Sequence, residues 1–241
     1  MIKALNNFYL RQQFLIHPLS IFLNPFFFIR LALLKAIQRQ SKKIKGDLMD
    51  FGCGRKPYRS LFHVNAYLGV DVEVSGHDHR KEEIDVYYDG KSLPFPDEKF
   101  DSLFSSETFE HIFNLEQMVP ELYRVLKPGG QFLLTVPFVW DEHEVPFDYG
   151  RYSSFGIRHL LEKNGFEIVS LEKTGHFILV IGQLWILYLF NLIRTPNKYL
   201  NLILCLLFIS PFNLLVGILS LISPRHKGLY FNNVVLARKP E

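Results

Sequence analysis

Asp47-Leu48-Met49-Asp50-Phe51-Gly52-Cys53-Gly54 is the stretch on which the fold turns. A short apolar run, Asp47 to Phe51, ends in two glycines, and a second run, Ala66 to Val70, ends at Asp71. Glycines at a strand-to-helix turn let a ligand approach the backbone, and an acid at the tip of the next strand can grip two ribose hydroxyls. The pair forms a nucleotide-site pattern. It is not the dinucleotide fingerprint, because reading G-x-G-x-x-G from Gly52 puts Pro57 where the third glycine belongs. Working outward, further strands are expected at Ser102 to Ser105, Gln131 to Val136, Glu167 to Leu171 and Tyr230 to Ala237. Helices are expected at Leu115 to Leu126 and at Ser154 to Asn164, the latter capped by Ser153 or Ser154 and closed by Asn164-Gly165. Strands alternating with helices imply an α/β fold, with a mostly parallel sheet covered on both faces.

The 241 residues, 48% hydrophobic and 21% charged, suffice for one sizeable core with appendages. Cys53 and Cys205 lie far apart with no Cys/His zinc spacing near them, so neither a disulfide framework nor a metal is expected. The net charge of +3 hides a strong partition. Residues 1–46 carry eight basic side chains and no acid, residues 47–173 carry a net −10, and residues 174–228 carry +4. A phosphate tracker spreads basic residues over its working domain, so an acidic middle between basic ends argues against nucleic acid as partner.

The ends are also apolar. Residues 177–193 and 199–222 contain no charged side chain and are separated only by Arg194-Thr195-Pro196-Asn197-Lys198. The second is long enough to cross a hydrocarbon core and the first is marginal, since roughly 20 helical residues are needed. Pro211 favours a break or kink in the second. A spanning hairpin and an in-plane or re-entrant hairpin both fit; the basic turn favours the latter, by the positive-inside tendency. The third arrangement is a helical pair buried in protein. Near the N-terminus, Phe27, Leu31, Leu34 and Ile37 fall at helical spacing among Arg30, Lys35, Arg39 and Lys42. That composition suits either an interfacial anchor or an amphipathic helix covering the core. Four segments follow: a basic, aromatic-rich helical segment at 1–45, a core at 46–175, a hydrophobic hairpin at 176–228, and the last core strand at 229–241.

With these residues in view, the chain resembles class I S-adenosylmethionine-dependent methyltransferases. The resemblance is carried by Asp50-Phe51-Gly52-Cys53-Gly54, Asp71, Asp89 before Leu93-Pro94-Phe95, Phe100-Asp101, Ser106-Glu107-Thr108-Phe109-Glu110-His111 and Val125-Leu126-Lys127-Pro128-Gly129-Gly130, in that order. It implies a Rossmann-like doubly wound sheet, mostly parallel with an antiparallel last strand, and S-adenosyl-L-methionine as cofactor. It also implies cofactor contacts at Asp50, Gly52, Cys53, Gly54, Asp71, Asp89, Gly90, Ser106 and Glu107: the glycines beside the methionine part, Asp71 on the ribose, Asp89 and Gly90 by the adenine. A carboxylate-rich cleft suits a sulfonium cation.

A second cluster, Trp140-Asp141-Glu142-His143-Glu144-Val145-Pro146-Phe147-Asp148-Tyr149-Gly150-Arg151-Tyr152, follows the strand at 131–136. Loops after parallel strands open on the carboxyl edge, where ligands sit. Trp140, Tyr149 and Tyr152 can wall an acceptor pocket, Arg151 can hold an anionic group, and His143 can take a proton near neutral pH. His111 is either a pocket residue or a packing residue. The stretch is similar to that of a methyltransferase subgroup encoded near cell-surface polysaccharide genes. Together these readings predict methyl transfer, by O-methylation, to a glycan, a lipid-linked or another membrane-associated small acceptor, at the cytoplasmic face of a membrane; the chain is cytoplasmic if the hairpin is buried in protein. The hairpin, leaving the sixth strand, is expected beside the active-site rim. The alternative is an inactive, methyltransferase-like membrane-bound scaffold.

Overall fold

The computed structural model of the chain describes residues 14–73 and 84–241. Lys3 and Arg11 of the basic N-terminal stretch lie outside the described residues. Two compact units are present, one of residues Ala36–Glu172 and Asn232–Glu241, the other of Met1–Lys35 and Lys173–Phe231.

The first unit holds a seven-stranded sheet: β1 Asp47–Phe51, β2 Ala66–Val72, β3 Val86–Tyr88, β4 Phe100–Ser106, β5 Leu126–Pro137, β6 Glu167–Lys173 and β7 Asn232–Arg238. The spatial order is β3-β2-β1-β4-β5-β7-β6. The neighbours from β3 to β5 are parallel, and β7 returns antiparallel to β5, pairing Gln131 with Arg238 through Pro137 with Asn232. The Rossmann-like sheet expected from the sequence, mostly parallel with an antiparallel last strand, is the one observed. On one face, Met49, Phe51, Leu103, Phe132 and Leu134 pack with Met118, Leu122, Ile157 and Leu161. These four come from α2 (Leu115–Val125) and α3 (Ser154–Lys163), whose apolar residues recur at helical spacing. The Ser153 side chain caps α3 by accepting from Gly156 N, and Gly165, at φ +91°, supplies the left-handed residue that ends it. Tyr58 and Phe62 pack on Phe104.

Two elements differ from expectation. The glycine turn after β1 opens no α-helix: between Gly54 and Ala66 the regular structure is one 3-10 turn, Arg59–Leu61. Lys56 adopts φ +50° and Pro57 follows it, so the chain leaves the turn in a conformation that does not propagate a helix. Strand β3 has three residues next to a charged run, too short for an alternation to register.

In the other unit, α4 (Phe177–Ile193) and α5 (Lys198–Leu204) are followed by a π-helical turn, Cys205–Ile209, and α6 (Ser210–Ile222). Pro211 sits in the first turn of α6, where its missing N–H costs nothing, and the irregularity it demands falls in the π turn just before it. Lys198–Ile222, 25 residues, is long and apolar enough to cross a membrane by length and composition. Its inward side is not purely apolar. Within this unit Gln183, fully buried, accepts from Phe28 N and Ile29 N and donates to Pro25 O. It thereby satisfies first-turn donors of the helix α1 (Phe27–Gln40), which has no acidic residue there. Asn213 likewise donates to Ile21 O and Asn24 O. Gly182 faces Val216 so closely that an added Cβ would stand 2.5 Å from a Val216 methyl. The other side exposes Trp185, Leu192, Leu207, Ile218, Leu221 and Ile222.

Candidate active site

Because β1, β2 and β4 run parallel, their carboxyl ends share one edge. Asp50 is in register with Gly69 and Phe51 with Val70, so the glycine turn meets the tip of β2. Gly52 N and Cys53 N both donate to Val70 O, at 2.8 and 3.2 Å. Gly54 N donates to Asp71 Oδ2 at 2.8 Å. Gly52 needs to be glycine: it sits at φ +70°, and a Cβ would lie 2.2 Å from the Thr108 methyl. The turn, Asp71 and the loop after β4 are therefore brought together, as the sequence predicts.

Asp50 lies beneath them, 3% exposed, taking the Tyr67 hydroxyl as a donor. Burial pushes its pKa up to about 7; the Tyr67 hydrogen bond opposes the rise and the Asp71 charge adds to it. Cys53 points elsewhere. Its thiol is buried toward Gly69, and burial raises its pKa. Lys56, also buried, is held at 2.7 Å by Asp85, which in turn accepts from Gly69 N.

Asp89 and Gly90 follow β3. One oxygen of Asp89 accepts from Lys91 N and Ser92 N, both at 2.8 Å, and these hydrogen bonds hold its pKa below the ordinary carboxylate value. Glu73, Tyr87, Tyr88, Asp89, Ser92 and Pro94 line a cavity of about 390 Å³. Of the expected cofactor residues Asp89 lines it; Gly52, Gly54 and Asp71 do not. Ser106 and Glu107, at the tip of β4, are tied to neighbouring strands. The Thr135 hydroxyl donates to Glu107 Oε1, so the Ser106 hydroxyl is the donor in its 2.9 Å contact with Thr135, and Asn232 donates to Glu107 Oε2.

The loop after β5 is ordered by one ion pair. Asp148 accepts two hydrogen bonds from the Arg151 fork and one from His143 N, at 3.0 Å. Burial works against its charge, but Arg151 and the His143 N–H prevail and hold Asp148 at about 2. Arg151 also donates to Asp141 O and Gly150 O, so in this structure it builds the loop rather than standing open to an anion. His143 Nδ1 faces Asp148 Oδ2 and Asp141 O, each at 3.2 Å. Both are acceptors, so Nδ1 carries the ring hydrogen and Nε2 presents the lone pair. His111 packs edge-on to His143, ring centroids 4.8 Å apart, with its Nδ1 against Phe147 O at 2.8 Å. Burial lowers the His111 pKa. Tyr149 packs edge-on to Phe113, Trp140 is half-buried nearby in sequence, and Tyr152 packs against the core.

Glu110 was legible only as part of a motif. It is fully buried, and burial and the Glu107 charge raise its pKa well above the ordinary value. Glu144 and Asp148 also acquire a role that the reading of the sequence had not assigned them.

The residues fit S-adenosylmethionine on two observations. The glycine turn has no room for a side chain at Gly52 and a left-handed backbone at Gly54, and the carboxylates Asp50 and Asp71 adjoin it, which favours a cationic ligand. Residues 49–134 match the family described as methyltransferase domain. A protein of Mycolicibacterium smegmatis named as an S-adenosylmethionine-dependent methyltransferase is 29% identical over 147 residues, covering 58% of this chain and 55% of that protein. The chain thus spans about half the length of that curated relative. Among solved structures, an S-adenosylmethionine-dependent methyltransferase of Mesorhizobium loti aligns over 86% of this chain and 97% of its own, with a TM-score of 0.51 at 14% identity. Phosphoethanolamine N-methyltransferase 2 of Haemonchus contortus, in complex with S-adenosyl-L-methionine, aligns over 86% of this chain and 52% of its own, with a TM-score of 0.50 at 21% identity. At these identities the solved structures establish the fold.

Proposed function

We propose that this chain, whose residues 49–134 match a methyltransferase domain, is an S-adenosylmethionine-dependent enzyme that methylates a hydroxyl oxygen of a glycan, a lipid-linked or another membrane-associated small acceptor. The observation that carries the reading is that two groups stand on the same carboxyl edge of the parallel strands. One is the Gly52-Gly54-Asp71 cradle, the other the His143–Asp148 pair after β5.

When bound, the cofactor supplies a methyl group on a sulfonium sulfur that departs as a neutral thioether when an acceptor oxygen displaces it. Gly52 and Gly54 admit the ligand to the backbone, and the Asp71 carboxylate receives ribose hydroxyls. Asp148, an anion at neutral pH, holds the His143 Nδ1–H in place, so that Nε2 accepts the proton leaving the acceptor hydroxyl. Positioning supplies most of the acceleration, since displacement at a methyl group needs oxygen, carbon and sulfur in line. A membrane-borne acceptor is supported by the exposed apolar side of Lys198–Ile222 and by the basic residues that flank the apolar segments. The scaffold alternative is separated by experiment: methyl-labelled cofactor, incubated with the chain and a membrane extract, transfers label to an acceptor if the reading holds, and into the organic phase if that acceptor is lipid-linked. Cofactor binding without label in any fraction would leave a binding protein.

A further inference from the structure

Four side chains at the head of the β4 and β5 loops converge in a way that methyl transfer does not require. Glu110, His111 and His143 each bring one ligand-type atom into a group whose members all lie within 4.8 Å of one another. Glu144 joins them: His111 Nε2 is 3.5 Å from Glu144 Oε1 and 3.8 Å from Glu110 Oε1. These separations are longer than hydrogen bonds. They are close to the spacing of about 3.3 Å between ligands placed roughly 2.0 Å from a tetrahedral ion.

The hydrogen-bond inventory sharpens this. Glu110 is fully buried, and neither of its carboxylate oxygens accepts a hydrogen bond from another residue. Buried His111 Nε2 also lacks a partner. Carbonyl Phe147 O can only accept, so His111 Nδ1 carries its hydrogen and Nε2 turns a lone pair toward the carboxylates. His143 is held by Asp141 O and Asp148 in the same tautomer. The Glu110 oxygens and His111 Nε2 therefore face one another, buried and with no hydrogen bond between them, an arrangement that a cation would satisfy. Each imidazole is backed by an oxygen acceptor on its far nitrogen, the support that metal-ligating histidines receive.

We propose that Glu110, His111 and His143, with Glu144 as a further carboxylate, bind one divalent transition-metal ion of the zinc class. Two imidazoles and a carboxylate favour zinc, cobalt or manganese over magnesium, which takes oxygen ligands almost exclusively. Metal binding stands apart from the methyl-transfer reading. Only the consequence for turnover rests on it: with the ion bound, His143 Nε2 is a ligand instead of a proton acceptor, and a hydroxyl acceptor has an ion to lie against.

The test uses the full chain, stripped with chelator and titrated with cobalt(II) and zinc(II). We expect one equivalent of cobalt per chain, visible absorption bands of a low-symmetry four- or five-coordinate site, and displacement by zinc. Glu110→Gln and His143→Gln should each weaken zinc binding at least tenfold while leaving cofactor binding intact. His143 is half-exposed, so His143→Gln keeps the test sound if the buried Glu110→Gln variant fails to fold. Cobalt binding without those bands, zinc affinity unchanged in both variants, or no stoichiometric binding would overturn the proposal. Cofactor titration of the metal-free chain, run in parallel, reports separately on the methyltransferase reading.

Discussion

Asp50 is the residue whose chemistry makes the sharpest demand. Its pKa in the folded chain, about 7, lies above the ordinary 3.8 because it is buried. The sign follows: its contribution to folding is complete below the unfolded value and is lost as pH rises through 7, a swing of the order of 4 kcal/mol. Denaturant unfolding of Asp50→Asn should therefore show a flatter decline of stability between pH 4 and 8 than the parent chain; parallel slopes would remove Asp50 from this account. A cationic ligand favours ionised Asp50, so cofactor affinity should rise with pH through about 7 in the parent chain and lose that dependence in Asp50→Asn, as read by calorimetry. Replacing His143 by Ala should cost turnover roughly 100-fold or more while changing cofactor affinity little, and an equal loss of both would reassign it. At this scale the meeting of the glycine turn with Asp71 was legible. Gly52, Gly54 and Asp71 stand at strand tips whose spacing already pointed to a nucleotide, and they meet as that spacing implies. The Glu110, His111 and His143 group was not, because α2 and β5 separate its members in the sequence and only the β4–β5 crossover brings them together. The acidic ring partner Asp148 was hidden for the opposite reason: it lies within the motif, but nothing in a linear reading distinguishes an oriented carboxylate from an exposed one.

At the scale of elements, strong periodicity was readable and short or strained pieces were not. Helices α2 and α3 fall within a residue of their expected ends, since their apolar spacing and the Ser153 cap act locally. Strand β3 escaped notice, and the glycine turn gave way to a 3-10 turn instead of a helix, because the left-handed Lys56 is a property of packing against Asp85 and Gly69. The disruption by Pro211 was foreseeable from proline's missing donor; that it takes the form of a π turn upstream was not. Gln183 gives a prediction belonging to this level. Its amide satisfies two buried donors and one acceptor at the start of α1, so Gln183→Leu should destabilise its unit by about 1–3 kcal/mol in chemical denaturation. An unchanged midpoint would mean that the helix start finds other partners.

For the whole molecule, charge and apolarity are partitioned together: the acidic residues lie in the stretch that builds the sheet, while the apolar helices carry a few basic residues and no acid. We expect the full chain to float with vesicles containing anionic lipid. Leu207→Asp combined with Leu221→Asp, at two exposed positions of Lys198–Ile222, should release it into solution. Flotation unaffected by the pair would assign membrane binding elsewhere or dismiss it. The sheet itself followed from the alternation of strands and helices, whereas the grouping of residues 14–35 with the apolar hairpin could not be read along the chain, because it rests on side-chain contacts such as those of Gln183 and Asn213.

The decisive measurement is calorimetric titration of the full chain, and of Asp71→Ala, with S-adenosylmethionine. A single site per chain, weakened at least about tenfold by loss of the Asp71 carboxylate, is the predicted result, equivalent to some 1.4 kcal/mol. No saturable heat in the parent chain, or the same affinity in both, would contradict it.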